Sequence, residues 1–559
     1  MIRIRTALLL AASTLTAPAT AREGSAVTVY VNANAFTADS ADRVVDAFAV
    51  EGDHFVRVGT RADMAPYEKA GASLVDLHGA FVVPGLTDNH FHGIGGGDDV
   101  ALVNVRTMDE LVAALRTAAQ GAPTDKPLLS NSDWHEAQLK EQRKPTWADL
   151  DKASTTVPII VVRGGHSIFL NSAALKKYGI TKATPVPAGG SIERGPDGEL
   201  TGELVDNAKK LVPMPAPTPL SEKELIDTQT KMNSFGVTAV RVPGAFRKGQ
   251  ILDVYALAQK MEQAGTLSLR YTMLRPGPGF AGGTAEALKT GPQQDAGDEW
   301  VRIGGVKLMV DGGFEAARFT QPYAEPFGKN GTYYGIAVVP PEKTRADVMQ
   351  LNRDGWRVAI HAAGDAGIDQ ALTAMEAASA EKPIKGKLWA IEHGFVINPA
   401  ELKRMKALDV TASLQDHQYL AGPTEEKMWG RQRADRVTPA KSYWDAGLLV
   451  TGGTDAPVIP ENPFWAMYYF ASRDSISGGA YGPAEAITSR QRLIRMFTIN
   501  YARMIGAEKV RGSIEPGKLA DFAVIDTDLL TAPVAKIRDA AAVATYVGGR
   551  QVFAAGATK

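Results

Sequence analysis

Two of the chain's nine histidines, His90 and His92, stand one residue apart in FVVPGLTDNHFHGIGGG, directly after an apolar run. In a strand, residues i and i+2 share a face, so two imidazoles so spaced can hold one cation between them. Solvated histidines at a strand end would look the same, and the pair alone decides nothing. Residues of the same chemical kind recur farther along: Lys307 in GGVKLMVDGG, His361 in VAIHAAGD, His393 in AIEHGF and Asp455 in VTGGTDAPV. Each closes a β-like apolar run and is followed closely by Gly, Ala or Pro. Imidazole and carboxylate are donors that suit zinc and several other first-row divalent ions. Four histidines, a lysine and an aspartate at separate strand ends describe a converging site better than a set of unrelated core residues.

Such residues need a scaffold that gathers strand ends. After His92 the chain has strand-like segments GVTAVRVPG, LSLRYTML, VRIGGVKLMVDG, RVAIHAAGD, LWAIEHGF, DVTASLQ and LLVTGGTDAP. Helix-like stretches such as AGIDQALTAMEAASA and NPAELKRMKAL lie between several of them. Strands alternating with helices imply βαβ units and a parallel sheet. With the His90 strand the count is eight, which predicts the α/β class and a (β/α)8 TIM barrel, whose catalytic groups meet at the C-terminal strand ends.

His90 and Asp455 are farther apart than the about 250 residues such a barrel takes. The surplus falls in 100–220, which carries its own strands and the Gly/Pro-rich TPVPAGGSIERGPDGELTGEL, and reads as an inserted subdomain over the barrel mouth. Both chain ends, 22–83 and 511–559, show short β runs separated by Gly and Asp turns. They are expected to pair into one small β-sandwich domain, leaving 84–510 for the barrel and its insertion.

The composition narrows the partners. With 559 residues, 45% hydrophobic, 22% charged and a net charge of −1, the chain has no electrostatic footprint for nucleic acid or an anionic membrane. It contains no cysteine, so thiol chemistry is excluded. Residues 1–21, MIRIRTALLLAASTLTAPATA, have the basic, apolar and small-residue order of a signal peptide and are too short an apolar stretch to span a bilayer. A periplasmic or secreted protein is expected. N-terminal sequencing of material from the native host should then begin near Arg22; Met1 retained on a cytoplasmic protein would rule export out.

PGLTDNHFHG, VKLMVDGG, HAAGD, IEHG and GGTDAPV together resemble the metal-dependent amidohydrolase superfamily, specifically amidohydrolase family 3, the branch containing N-substituted formamide deformylase. SDWHEAQ, GGHSIFLNSAAL and GSIEPGKLADFAVID also look like that branch, so the resemblance covers nearly the whole mature chain. It implies a binuclear centre, with His90, His92 and Asp455 on one divalent ion and His361 with His393 on the other. Lys307 would bridge them as a CO2-derived carbamate. Zinc is the first expectation for both ions. An uncarbamylated Lys307 over a single ion is the alternative.

The implied reaction is hydrolysis of an amide or related non-peptide C–N bond in a small organic substrate. A metal-bridging hydroxide would attack, and Asp455 would carry the proton to the leaving amine. Ester, lactone or carbamate hydrolysis, or deamination at a mononuclear centre, would use the same barrel. His166, Trp134, His135 and Arg433 are the candidates for substrate contact, with His417 and Trp429 as further residues near the mouth. Glu392, beside His393, is expected to face the other way and serve structure. Glu315 departs from the small-residue run expected after the lysine strand, and either alters the pocket or faces solvent. The implied partner is a small molecule, with no nucleic acid and no membrane span; homo-oligomer formation is left open.

Overall fold

Eight apolar runs that alternate with helices form one parallel sheet. In chain order they are β1 (Leu86–Asp88), β2 (Val237–Val242), β3 (Arg270–Pro276), β4 (Val301–Met309), β5 (Val358–Ala362), β6 (Ala390–His393), β7 (Thr411–Gln415) and β8 (Val450–Gly453). Each pairs only with its sequence neighbours in that sheet. The computed structural model describes residues 27–556 apart from 96–98, 188–189, 214–218, 245–249, 279 and 281–282; the expected signal peptide lies outside the described residues. β2, β5, β6, β7 and β8 are buried along their whole length. That is why they read as near-continuous apolar runs without alternation. Helices Asp365–Glu381 and Pro399–Leu408 follow β5 and β6, where the sequence predicts them.

The sheet curls into a nearly closed (β/α)8 barrel. Its seam is made by single contacts between the ends of β1 and β8, where Asn89 N donates to Gly452 O at 3.3 Å and Asp455 N to His90 O at 2.7 Å. Asp88 fastens the seam, accepting from His90 N (3.0 Å), Thr454 N (3.1 Å) and Thr454 Oγ1 (2.6 Å). A Cβ at Gly453 would lie 2.3 Å from Asn89 Oδ1, so only glycine lets the two strand ends meet. This seam sets His90 beside Asp455.

β1 is also the continuation of a second domain. Strand Phe81–Pro84 runs through Gly85 into β1, and pairs antiparallel with Phe522–Ile525 near the other end of the chain. Around it lies a six-stranded sheet, to which Asn34–Phe36, Val44–Val45, Ala542–Val547 and Arg550–Ala554 also contribute. A four-stranded sheet of N-terminal strands between Val27 and Asp76 packs on it through Tyr30, Phe48, Phe55, Phe522 and Tyr546. Phe522 and Tyr546 stack at 4.3 Å, and Tyr30 meets the Phe522 ring edge at 5.2 Å. Such offset and edge contacts add to simple burial.

Between β1 and β2 the chain builds a five-stranded sheet from Leu128–Leu129, Ile159–Arg163, Ser167–Leu170, Gly190–Arg194 and Leu200–Asp206, with its own cores. Ser132 Oγ donates to Pro457 O (2.6 Å) and Thr424 Oγ1 to Glu136 Oε1 (3.2 Å), tying this insertion to the barrel loops. No helix among the described residues is long and apolar enough to cross a membrane.

Helix His417–Trp429 after β7 carries a pH-sensitive group. Burial pushes the carboxyl of Glu425 up to about 8; Gln418 donates to its Oε2 at 2.9 Å, while Oε1 has no partner. An unfolded glutamate titrates near about 4.3. Between that value and about 8 the folded chain holds a proton that the unfolded chain has lost, so this group's contribution falls as pH rises through the window. Glu425→Gln is expected to raise the melting temperature at pH 8.5 by about 2 °C and to leave it near wild type at pH 5, read by thermal melts.

Candidate metal centre and cavity

At the C-terminal ends of the barrel strands lies a cavity of about 1000 Å3. His90, His92, Lys307, His361, His393 and Asp455 line it together, although they come from five places in the chain. His90 and His92 are not within a strand, as the spacing suggests, because β1 ends at Asp88. They lie in the bend and loop beyond it, and the seam rather than strand alternation directs them. His90 Nε2 lies 3.5 Å and His92 Nε2 3.3 Å from Asp455 Oδ1. Lys307, on β4, brings Nζ to 3.2 Å from His90 Nε2.

Two of these residues leave ordinary backbone geometry. His393 has φ 71° and Asp455 φ 64°. Left-handed backbone costs a non-glycine residue of order 1–3 kcal/mol and persists where the surroundings over-determine it. The turn at His393 brings it to the same site as Glu392, against the expectation that Glu392 faces away. Glu392 is fully buried, takes a hydrogen bond from His90 Nδ1 at 2.6 Å, and pairs with Arg241 Nη2 at 2.7 Å.

Burial fixes the charge states. It holds His90, His361 and His393 below the usual imidazole range and His92 at about 3, so all four rings are neutral donors of a lone pair. Burial lowers Lys307 to about 8 against the pull of Glu392 and Asp455. Burial alone would raise Asp455, but His90, the hydrogen bond from His417 and His92 carry it below the ordinary carboxylate value.

The donor set fits a divalent ion. Ligand atoms of His90, His92 and Asp455 lie within 4.8 Å of one another, and so do those of His393, His417 and Asp455. Asp455 Oδ1 is buried with no hydrogen-bond partner, as expected of an oxygen reserved for a cation.

His417 is the member that sequence reasoning underrates. It stands just after β7 and places Nε2 2.9 Å from Asp455 Oδ2. The strand-end rule applied to the other ligands would have found it, since LQDHQY directly follows an apolar run. His361, by contrast, stands beside His393, with ring centres 4.5 Å apart, and turns Nε2 toward Gly312 O at 3.3 Å.

The substrate candidates separate. His166, His135 and Trp134 line the cavity from the insertion. His166 Nδ1 accepts from Gly313 N at 3.4 Å, and the Trp134 indole donates to Val162 O at 2.7 Å. Arg433 does not line the cavity: its guanidinium serves the carbonyls of Trp429, Gln321 and Pro322 and lies over the Phe319 ring at 4.8 Å. Trp429 also stands behind the wall, its indole donating to Phe314 O at 3.1 Å. Glu315 does not face solvent. It pairs with Arg163 of the insertion at the cavity edge. Phe314, Phe395, Leu420, Ile336 and Val338 make much of the remaining wall apolar, with Phe314 and Phe395 parallel at 5.5 Å.

Comparison with known proteins gives consistent matches. A family model described as "Amidohydrolase family" matches residues 73–553. The chain is 31% identical to Protein LONG AFTER FAR-RED 3 of Arabidopsis thaliana, over 93% of this chain and 91% of that one. It is 27% identical to the N-substituted formamide deformylase of Arthrobacter pascens, over 93% and 97%. Among solved structures, an uncharacterized metal-dependent hydrolase from Pyrococcus horikoshii OT3 shares the fold, with TM-score 0.67 and 21% identity over 91% of this chain and 99% of that one.

Proposed function

The chain belongs to the amidohydrolase family, and on that premise we propose that it is a metal-dependent hydrolase of an amide or related non-peptide C–N bond in a small organic molecule. The observation that carries this reading is the unpartnered, buried Asp455 Oδ1 between two neutral histidines at the cavity. His90, His92 and Asp455 would hold one ion; His361 and His393, with His417 in reach of Asp455, would hold a second. Lys307, whose Nζ lies 3.2 Å from His90 Nε2, would join this ligand set as a carbamate, in which Nζ bonds the carbon of CO2 and gives up a proton. When bound, divalent ions supply Lewis acidity toward a carbonyl oxygen and lower the pKa of water; zinc suits these donors.

The chain's own groups do the rest. Asp455 is the proton carrier: it takes a proton from the attacking water and passes it to the departing nitrogen, so the products are an acid and an amine. Contact of its Oδ2 with His417 Nε2 fixes the carboxylate plane while that proton moves. Phe314, Phe395 and Leu420 offer an apolar wall for the substrate body, and the insertion covers the mouth and limits water. The similarity to a formamide deformylase supports the amide over the ester as the bond cleaved.

The test is a screen of purified, metal-loaded protein against N-formyl, N-acyl and cyclic amides beside matched esters and lactones. Amine release that stops on chelation is the expected result. Turnover of esters and lactones alone, or ammonia release with one ion bound, would replace the proposal with its alternatives.

A further inference from the structure

A histidine offers a metal only the nitrogen that carries no proton, so what its other nitrogen touches decides whether it can serve. At His92, Nδ1 meets Gly244 O at 2.7 Å; at His393, Nδ1 meets Gln415 Oε1 at 2.8 Å. At His90 the partner is charged: Nδ1 lies 2.6 Å from Glu392 Oε2. Glu392 is itself held on both oxygens, by Arg241 Nη2 on Oε1 at 2.7 Å and by Ser413 Oγ on Oε2. Arg241 also donates to Asn89 O at 3.1 Å, one residue before His90. Glu392, Arg241, Ser413 and His90 come from β6, β2, β7 and the end of β1, and all are buried.

We infer that Glu392 is the positioning residue of the centre: held by Arg241 and Ser413, it keeps the proton of His90 on Nδ1 and turns Nε2 bare toward Lys307 and Asp455. This rests on the metal-centre reading above. A carboxylate can only accept, so the proton must sit on Nδ1. Arg241 can only donate, so it orders any replacement at 392 as well. In Glu392→Gln, the amide oxygen goes to Arg241 and the amide NH2 faces His90. Nδ1 must then accept, the proton moves to Nε2, and the side chain keeps its shape while the histidine turns its N–H toward the ion site. A merely structural role for Glu392 predicts no such inversion.

Two measurements on the full chain test this. The first is ring ¹⁵N NMR of metal-free protein labelled at histidine. It should show His90 as the Nδ1–H tautomer in wild type and as Nε2–H in Glu392→Gln. The second is Co2+ titration of chelator-stripped protein, followed in the visible spectrum. Affinity should fall about 10- to 100-fold in Glu392→Gln. Glu392→Asp, which keeps the charge with a shorter reach, should recover part of it. Because Glu392→Gln weakens the pairing of buried Arg241, Ser413→Ala is the second variant: it removes one donor to Oε2 and should weaken Co2+ by a smaller factor without changing the tautomer. An unchanged tautomer together with Co2+ affinity within twofold of wild type overturns the inference and leaves the metal centre standing. A wild-type chain that takes up no divalent ion overturns the functional reading instead, and the tautomer measurement still judges Glu392.

Discussion

Lys307→Ala is expected to lower bound divalent metal from about two ions per chain to one or fewer and to abolish turnover. The amine of Lys307 is buried among His90, Asp455 and Glu392, and burial brings it down to about 8, so a share of it is neutral near physiological pH. Only the neutral amine adds CO2, and only the resulting carbamate offers cations two oxygens that share a negative charge. Alanine deletes the anion and leaves a space, so acetate or propionate supplied in solution should restore part of the activity. Lys307→Arg should stay inactive with either acid, because guanidinium remains cationic and takes up no CO2. Metal analysis of wild type and Lys307→Ala, with assays in both acids, decides the matter. Unchanged stoichiometry and near-normal turnover in Lys307→Ala would end the carbamate bridge.

The second large effect is expected at Asp455. Asp455→Asn should reduce kcat by about 10³-fold or more while the protein still folds. Asparagine matches the shape of aspartate and tolerates left-handed backbone, so the φ of 64° at this position is accommodated. What it lacks is charge and basicity. The residue lies within 3.5 Å of the ring nitrogens of His90, His92 and His417, so one substitution strips the anion from both candidate ligand groups and removes the proton carrier. Circular dichroism and melting temperature should stay close to wild type, while metal content and kcat fall. Full metal content with kcat within about tenfold of wild type would remove Asp455 from the chemistry.

The barrel is readable in the sequence because strands buried on both faces cannot hide. VTAVRV and VAIHA stand out as apolar runs punctuated by Gly, and the polar residues ending them then stand out as exceptions. Side-chain direction at the strand ends is less readable. It depends on φ at His393 and on the seam contacts of Asp88, neither of which leaves a pattern in residue order. Strand alternation puts Glu392 on the wrong face for that reason, since alternation fails where the backbone turns left-handed. Arg433 misleads in another way: a lone arginine near a cavity suggests a ligand, while three carbonyls and a phenyl ring already occupy it. The Arg163–Glu315 pair joins residues 152 positions apart, and only the fold brings them together.

The pairing of Phe81–Pro84 with Phe522–Ile525 sets an order of events during synthesis. The strand that leads into His90 is made before every barrel strand, and the strand that clamps it from the other side is made after all of them. β8, which closes the seam beside Asp455, is the last barrel strand in chain order. A nascent chain can form its middle βαβ units as they emerge, but its candidate ligand set stays open until β8 and Phe522–Ile525 have been made. A ribosome stalled before residue 522 would hold a chain with most of its barrel and no clamped first strand.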